Sequence, residues 1–414
     1  MLSREDNEML TRVGPGTPMG SLFRRFWFPM LLADELPEPD CKPKRVKAFG
    51  EFFVAFRDTE GRLGLLDARC PHRGADLSFG LNEENGLRCA QCYWKFDIHG
   101  KILDLPMEPD DSPLWHEALA PSFQIREYGG LIWGYVGPQD DVPDLPEFEW
   151  THVPPEQRYL SRFLVECNYM QGVEGGLDAS RVAALQKAGL LTAEDPLGDN
   201  VAQRIQAKQT EYGLTIGTAL EGESDKADLQ VTHWLMPFYT TTPMDESGVY
   251  EGVAWVPVDD ERTMAFAVTY NPKRALSKKV LREIEQGKRV HPVLERNSIR
   301  RLRNPENGYV EEGADRPLDF ASRFDNKFEM VIACQESMGP IVDRSRENLG
   351  ENDSAVIGAR KTLIQAAVDL MEGTVPVIVH KGEAYRVRSY ATQLERGAAF
   401  DEDEDVRRGI TAEV

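Results

Sequence analysis

Residues 70–80 read CPHRGADLSFG and residues 89–97 read CAQCYWKFD. Each stretch offers two metal-binding side chains at short spacing: Cys70 and His72 in the first, Cys89 and Cys92 in the second, with sixteen residues between the two halves. Two chelating loops of this kind clamp a compact metal centre from opposite sides, a far more specific pattern than one isolated C-x-x-C. Spacing alone leaves the occupant open between an iron–sulfur cluster, a structural zinc held by three thiolates and one imidazole, and no metal. His99, in the turn DIHGK, reads as a turn residue rather than a ligand.

Around these loops the chain is written in short strands. RVKAFGEFFVAFRDTEGRLGLLDARC (45–70) alternates apolar and polar residues about the turn DTEG, a hairpin signature. GKILDLP, SFQIREYGGLIWGYVG and PEFEW continue as strands between Gly and Pro punctuation. This predicts an all-β domain over residues 45–150, preceded by an N-terminal arm (1–44) that packs on the larger domain. From residue 151 to about 400 the texture is α+β. ECNYMQGVEGGLDASRVAALQKAG reads as a helix with an interrupted start at Gly175 and Gly176. Strand patterns return at 212–220, 227–242, 248–258 and 263–270. DSAVIGARKTLIQAAVDLMEG gives a long helix capped by Asp353 or Ser354, with Val356, Ile357, Leu363, Ile364, Ala367, Leu370 and Met371 on its apolar stripe and Gly373 as its stop. Residues 401–414 read as a solvated acidic tail.

The 414 residues suffice for two domains sharing an interface. A formal net charge of −21 disfavours nucleic acid and anionic membrane as partners, because both demand clustered Lys and Arg. No apolar run reaches membrane-spanning length and the charged N-terminus lacks a signal-peptide pattern, so the expected compartment is the cytoplasm. Six cysteines, three of them between positions 70 and 92, point to metal rather than to a disulfide framework.

CPHRGADL followed by WKFDIHGKILDLP resembles the Rieske domain of ring-hydroxylating oxygenases, specifically the phthalate-dioxygenase-like α subunits. That family reads C-P-H-R-G and C-x-x-H-G-W, with two thiolates on one iron of a [2Fe-2S] cluster and two imidazoles on the other. The resemblance implies that Cys70 and Cys89 are the thiolate pair and His72 the first imidazole. Cys92 stands where the second imidazole belongs, and Tyr93 where the family has glycine. A thiolate still binds iron, so the expected cofactor is a [2Fe-2S] cluster held by Cys70, His72, Cys89 and Cys92, at a lower potential than usual.

The same resemblance extends to a helix-grip, START-like α+β domain and to a mononuclear Fe(II) held there by two His and one carboxylate. The family frame N-x-x-Q-x-x-E-G-x-x-D-x-S-H is present as Asn168, Gln171, Glu174, Gly175, Asp178 and Ser180. Its iron positions, however, hold Arg181 and Gln186. Counting back from QESMGP (335–340) puts Val331 where an Asp belongs. A guanidinium has no lone pair to give, an amide oxygen is a weak ligand and valine none. Asp178 matches the family's interface electron bridge, and alternatively it salt-bridges to Arg181. The remaining histidines, His116, His152, His233, His291 and His380, read as structural or surface residues, with His233 on a strand facing the pocket as the one further ligand candidate. The implied protein is an oxygenase-like α subunit without its own mononuclear iron, a pseudoenzyme that assembles as a trimer or hexamer with an active homologous α subunit and meets a reductase or ferredoxin. Two alternatives stay open: an active mono- or dioxygenase with rearranged ligands, and a non-enzymatic scaffold with a Cys3His zinc.

Overall fold

A computed structural model describes residues 1–178, 202–221, 225–244, 247–310, 323–324 and 326–414. Two short helices open the chain, α1 (Arg4–Thr11) and α2 (Pro18–Phe23), each capped by a hydroxyl: Ser3 accepts from the Asp6 amide and Thr17 from the Gly20 amide.

The first half is built from small antiparallel sheets. Strand β1 (Phe28–Leu32) is followed by β2 (Lys44–Ala48), β3 (Glu51–Arg57) and β4 (Leu63–Asp67). Then come β5 (Leu81–Glu83), β6 (Gly86–Arg88), β7 (Lys95–Phe96) and β8 (Ile102–Asp104), helix α3 (Leu114–Glu117), and the hairpin β9 (Gln124–Tyr128) and β10 (Leu131–Tyr135). Strands β2, β3 and β4 form one sheet, β5 to β8 a second, and β1, β10 and β9 a third. Thus a strand from the N-terminal arm completes a sheet with residues about a hundred positions later. The two cysteine-bearing loops join β4 to β5 and β6 to β7.

PEFEW (146–150), expected as a strand, is irregular as far as Phe148 and then enters the short helix α4 (Glu149–His152). The physical reason lies one residue beyond the pentapeptide, at Thr151. Phe148 and Trp150 stack on Trp133 of β10 with ring centroids 6.4 and 6.2 Å away, and the Thr151 amide and hydroxyl both close back onto the Phe148 carbonyl. Both aromatics are buried; residues two apart share a face in a strand as well, so the turn onto the Phe148 carbonyl, not the stacking, distinguishes the helix.

The second half is an eight-stranded antiparallel sheet: β11 (Arg158–Val165), β12 (Ala202–Thr210), β13 (Gly213–Glu221), β14 (Lys226–Leu235), β15 (Tyr239–Thr241), β16 (Tyr250–Pro257), β17 (Thr263–Tyr270) and β18 (Tyr390–Glu395). Its order is β11-β17-β16-β15-β14-β13-β12, with β18 also pairing with β14. Helix α5 (Tyr169–Leu177) lies on one face, α6 (Lys278–Glu285) follows β17, and α7 (Lys327–Ser337) packs beside α5. The long α8 (Ser354–Met371) and the terminal α9 (Glu404–Ile410) complete the described helices.

The expected helix is described as far as Leu177, its residues 179–189 lying outside the described residues, and up to there glycine in α5 permits close approach without interrupting the helix. A methyl at Gly172 would stand 2.4 Å from the Trp255 ring, and one at Gly176 2.8 Å from Thr240. In α8, Asp353 is the N-cap and Gly373 adopts a positive φ after the last turn, as the sequence implies. The buried stripe is narrower than expected, however. Small residues such as Ala355, Ala359 and Ala367 line it with Arg360, whereas Met371 is exposed. The acidic tail is folded as well. Asp403 caps α9 by accepting from the Asp405 and Val406 amides, Glu404 and Asp405 lie in its first turn, and Val406 is buried.

Candidate metal centre

The two cysteine loops are built alike. In the first, the Cys70 amide donates to the Ala75 carbonyl and the Gly74 amide to the Cys70 carbonyl, both at 2.8 Å. In the second, the Cys89 amide donates to the Trp94 carbonyl at 2.8 Å and the Tyr93 amide to the Cys89 carbonyl at 3.0 Å. Closing such a loop puts its fifth residue in the left-handed region: Gly74 has φ +78° and Tyr93 has φ +61°. A glycine takes that conformation without strain, whereas a bulky L-residue loses about 1–2 kcal/mol there.

This folding brings three of the four expected ligands together. The sulfurs of Cys70, Cys89 and Cys92 all lie within 4.8 Å of one another, and those of Cys70 and Cys92 are 3.7 Å apart. All six cysteines are free thiols. Each clustered sulfur accepts a backbone N–H: from His72 at Cys70, from Gln91 and Cys92 at Cys89, and from Trp94 at Cys92. Burial raises the Cys70 and Cys92 thiols above their ordinary range. At Cys89 burial acts the same way but is outweighed by the amide donors, so its thiol is lowered. His72 is outside this mutual cluster. It sits exposed on the first loop with its ring 4.7 Å from that of Trp94, a buried residue that the sequence reading did not single out. His99 is exposed in the turn closed by Asp97, as expected.

On the larger domain, the surviving motif residues hold α5 in place. Asn168 caps α5 and donates to the Thr11 and Asp260 carbonyls at 3.0 and 2.7 Å. Gln171 donates to the Gln335 and Gly339 carbonyls and accepts from the Val342 amide. Glu174 receives both Arg344 and Arg360. Gln335 and Glu336 of QESMGP are buried, Glu336 against Arg301 and Tyr309. Val331 of α7 does face α5: a methyl at Gly175 would stand 3.0 Å from its Cγ1. Asp178 is the C-cap of α5. Arg181 and Gln186 lie outside the described residues.

The sequence profile described as the Rieske [2Fe-2S] domain matches residues 26–124, and that of the LigXa C-terminal domain matches residues 134–404. The chain is 30% identical over 389 residues to the phthalate 4,5-dioxygenase oxygenase subunit of Pseudomonas putida, covering 90% of this chain and 88% of that one. It is also 30% identical to the 3-chlorobenzoate-3,4-dioxygenase oxygenase subunit of Comamonas testosteroni, covering 93% of each. The chain belongs to the Rieske oxygenase α-subunit family. In fold it is similar to the Pseudomonas putida CBB5 NdmA QL mutant with theobromine (TM-score 0.61, 18% identity, covering 88% of this chain and 96% of that one).

The donors present fit the Rieske cofactor chemically: three convergent sulfurs, each with an amide donor, and an imidazole on the adjoining loop. The departure from the usual donor set of the Rieske oxygenases is the thiol of Cys92. Loop symmetry also explains the glycine that the family carries where this chain has Tyr93. Tyr93→Gly should stabilise the smaller domain by about 1 kcal/mol, the strain relieved being offset in part by a more flexible unfolded chain. Thermal unfolding checks this, and a lower melting temperature counts against the loop-symmetry argument.

All seven histidines of this Rieske oxygenase chain fall within the described residues. The strand residue His233 was the further ligand candidate. It is fully buried, with Nδ1 3.0 Å from the Tyr212 hydroxyl and Nε2 2.9 Å from the Arg388 carbonyl, so both ring nitrogens are engaged. Burial lowers its pKa to about 4. His291 is likewise held between Ser161 and Thr269, and burial lowers its pKa to about 3. His116, His152 and His380 are exposed. Among the described residues, the three thiols are the one cluster of His, Cys, Asp and Glu side chains close enough to hold an ion. No described helix is long and apolar enough to cross a membrane.

Proposed function

We propose that this Rieske oxygenase subunit carries an electron-transfer centre but houses no mononuclear iron, and that it works beside a homologous subunit whose pocket is intact. The observation that carries this is the division within one motif. Asn168, Gln171 and Glu174, which fasten α5, are retained, whereas the ligand positions hold Arg181, Gln186 and Val331. The engagement of both ring nitrogens of His233 and of His291 supports the same reading, because neither imidazole has a lone pair left for a replacement iron site.

Cys70, Cys89, Cys92 and His72 would hold the [2Fe-2S] cluster, which when bound supplies one-electron transfer. Asp178, at the exit of α5, is the residue we assign to the contact between subunits. By analogy with a carbazole 1,9a-dioxygenase oxygenase solved with its ferredoxin, the donor in this reading is a ferredoxin; a reductase as donor, the trimeric or hexameric assembly and the cytoplasmic compartment are carried over from the family resemblance alone.

Metal and sulfide content tests the proposal. Purified chain should contain about two irons and two acid-labile sulfides per chain and no zinc. The triple variant Arg181→His, Gln186→His, Val331→Asp should gain one further iron. A third iron in the wild-type chain, with oxygen consumption by that chain alone, would replace this reading with that of an active oxygenase with rearranged ligands. Stoichiometric zinc would replace it with a structural scaffold.

A further inference from the structure

A cavity lies on the opposite face of the large sheet from α5. On β16, Trp255 packs beneath Gly172 of α5, whereas the neighbouring Ala254 lines the cavity, so the sheet stands between the two. The void is about 50 Å³, room for a few water-sized groups. Its walls come from both halves of the chain: Trp133 of β10, Phe148 and Trp150 around α4, and Ala254, Phe266 and Val268 of the sheet. Most of this surface is aliphatic or aromatic.

One corner is polar. The Glu149 carboxylate is 2.8 Å from an Nη of Arg388 and accepts the Tyr270 hydroxyl at 2.9 Å. Arg388 is fixed from behind, its carbonyl bonded to His233 and its guanidinium 5.8 Å from the Tyr250 ring centroid. Arg388 lines the cavity, and its Nε is buried and has no hydrogen-bond partner among the described residues. A buried N–H left without an acceptor is unfavourable, so an acceptor delivered there gains a full hydrogen bond at little desolvation cost. Because Glu149 already balances the Arg388 charge, an added carboxylate would meet its repulsion. A neutral acceptor meets none.

We infer that this interdomain cavity is a binding site for a small neutral molecule of about three to five heavy atoms, with an apolar body against Trp133, Trp150 and Ala254 and one hydrogen-bond acceptor on Arg388 Nε. An occupant touches the smaller domain, the linker helix and the sheet at once, and so ties them together. The site is independent of whether the large domain binds iron.

Crystals of the full-length, cluster-containing protein test it with two probes, pressurised xenon for the apolar body and 2-propanol at millimolar to molar concentration for the acceptor. Both should give density in the cavity of the wild-type protein. Arg388→Lys keeps the charge opposite Glu149 but removes Nε, and should retain xenon while weakening 2-propanol at least tenfold. Ala254→Leu, or the milder Ala254→Val if leucine disturbs folding, should exclude both. Wild-type crystals that take up neither probe, or xenon alone, overturn the inference. So does alcohol density that Arg388→Lys leaves unchanged, or that is seen at molar concentration only.

Discussion

Cys92→His should raise the midpoint potential of the iron–sulfur centre by on the order of 100 mV. The argument is one of charge. Three thiolates and one neutral imidazole give an oxidised [2Fe-2S] centre one negative charge more than the arrangement of two thiolates and two imidazoles. A unit charge about 5 Å from the added electron, at an effective dielectric constant of about 20, opposes reduction by about 3 kcal/mol. For a one-electron couple that is roughly 100–150 mV. Observed classes agree in direction: two-imidazole centres lie at about −150 to +300 mV and all-thiolate plant-type ferredoxins near −400 mV. The amide donors at Cys70, Cys89 and Cys92 stabilise the thiolates in both forms and limit the difference. Redox titration of the two proteins, followed by electron paramagnetic resonance, decides the matter. A shift below about 30 mV, or a downward one, would mean that Cys92 is not a ligand of the reducible centre.

Much of this is legible in the amino-acid sequence. The cysteine loops are legible because chelating residues a few positions apart are confined to one turn, and the strands around them because alternation and Gly/Pro punctuation are local signals. What stayed hidden is set by partners far along the chain. That β1 pairs with β10, or β18 with β14, is not written in either strand alone. The end of PEFEW turns helical through Thr151, which lies outside the pentapeptide and bonds back to the Phe148 carbonyl. In α5, Gly175 and Gly176 carry no sign of what they approach, so weak helix propensity reads as interruption where close approach to Val331, Gln335 and Thr240 is the reason. The motif on α5 was recognisable residue by residue, but the sequence could not separate fastening residues from chemical ones. The structure does so through hydrogen bonds: Asn168 and Gln171 spend their amides on backbone carbonyls of other segments. Arg344 and Arg360, four and twenty residues past QESMGP, carried no signal as the partners of Glu174.

That last cluster gives the largest expected loss of stability. The Glu174 carboxylate accepts from Nε and Nη2 of Arg344 at 2.8 and 2.9 Å and from Nε of Arg360 at 2.6 Å. Arg344 is wholly buried and reaches on to Asn7 of α1, while Arg360 of α8 is shared with Glu347. One carboxylate thus joins α5, α8 and the N-terminal arm. Removing it leaves two guanidinium groups in a buried site with, among the described residues, only Glu347 paired to them, so Glu174→Gln should lower the unfolding free energy by about 3–5 kcal/mol. A pH signature goes with it. Burial alone would raise the Glu174 carboxyl, but Arg344 and Arg360 outweigh burial and hold it below the ordinary carboxylate range. Its folded pKa is therefore lower than its unfolded value of about 4.3, so its contribution is fully present above that pH and is lost as pH falls through the folded value. Denaturant titrations of both proteins from neutral pH down to about pH 3 test both parts. The wild-type chain should lose more stability over that range than Glu174→Gln. If the variant costs less than about 1 kcal/mol at neutral pH and its acid limb matches the wild type, the carboxylate is not the clamp on α5, and the retention of this motif beside a changed ligand set needs another cause.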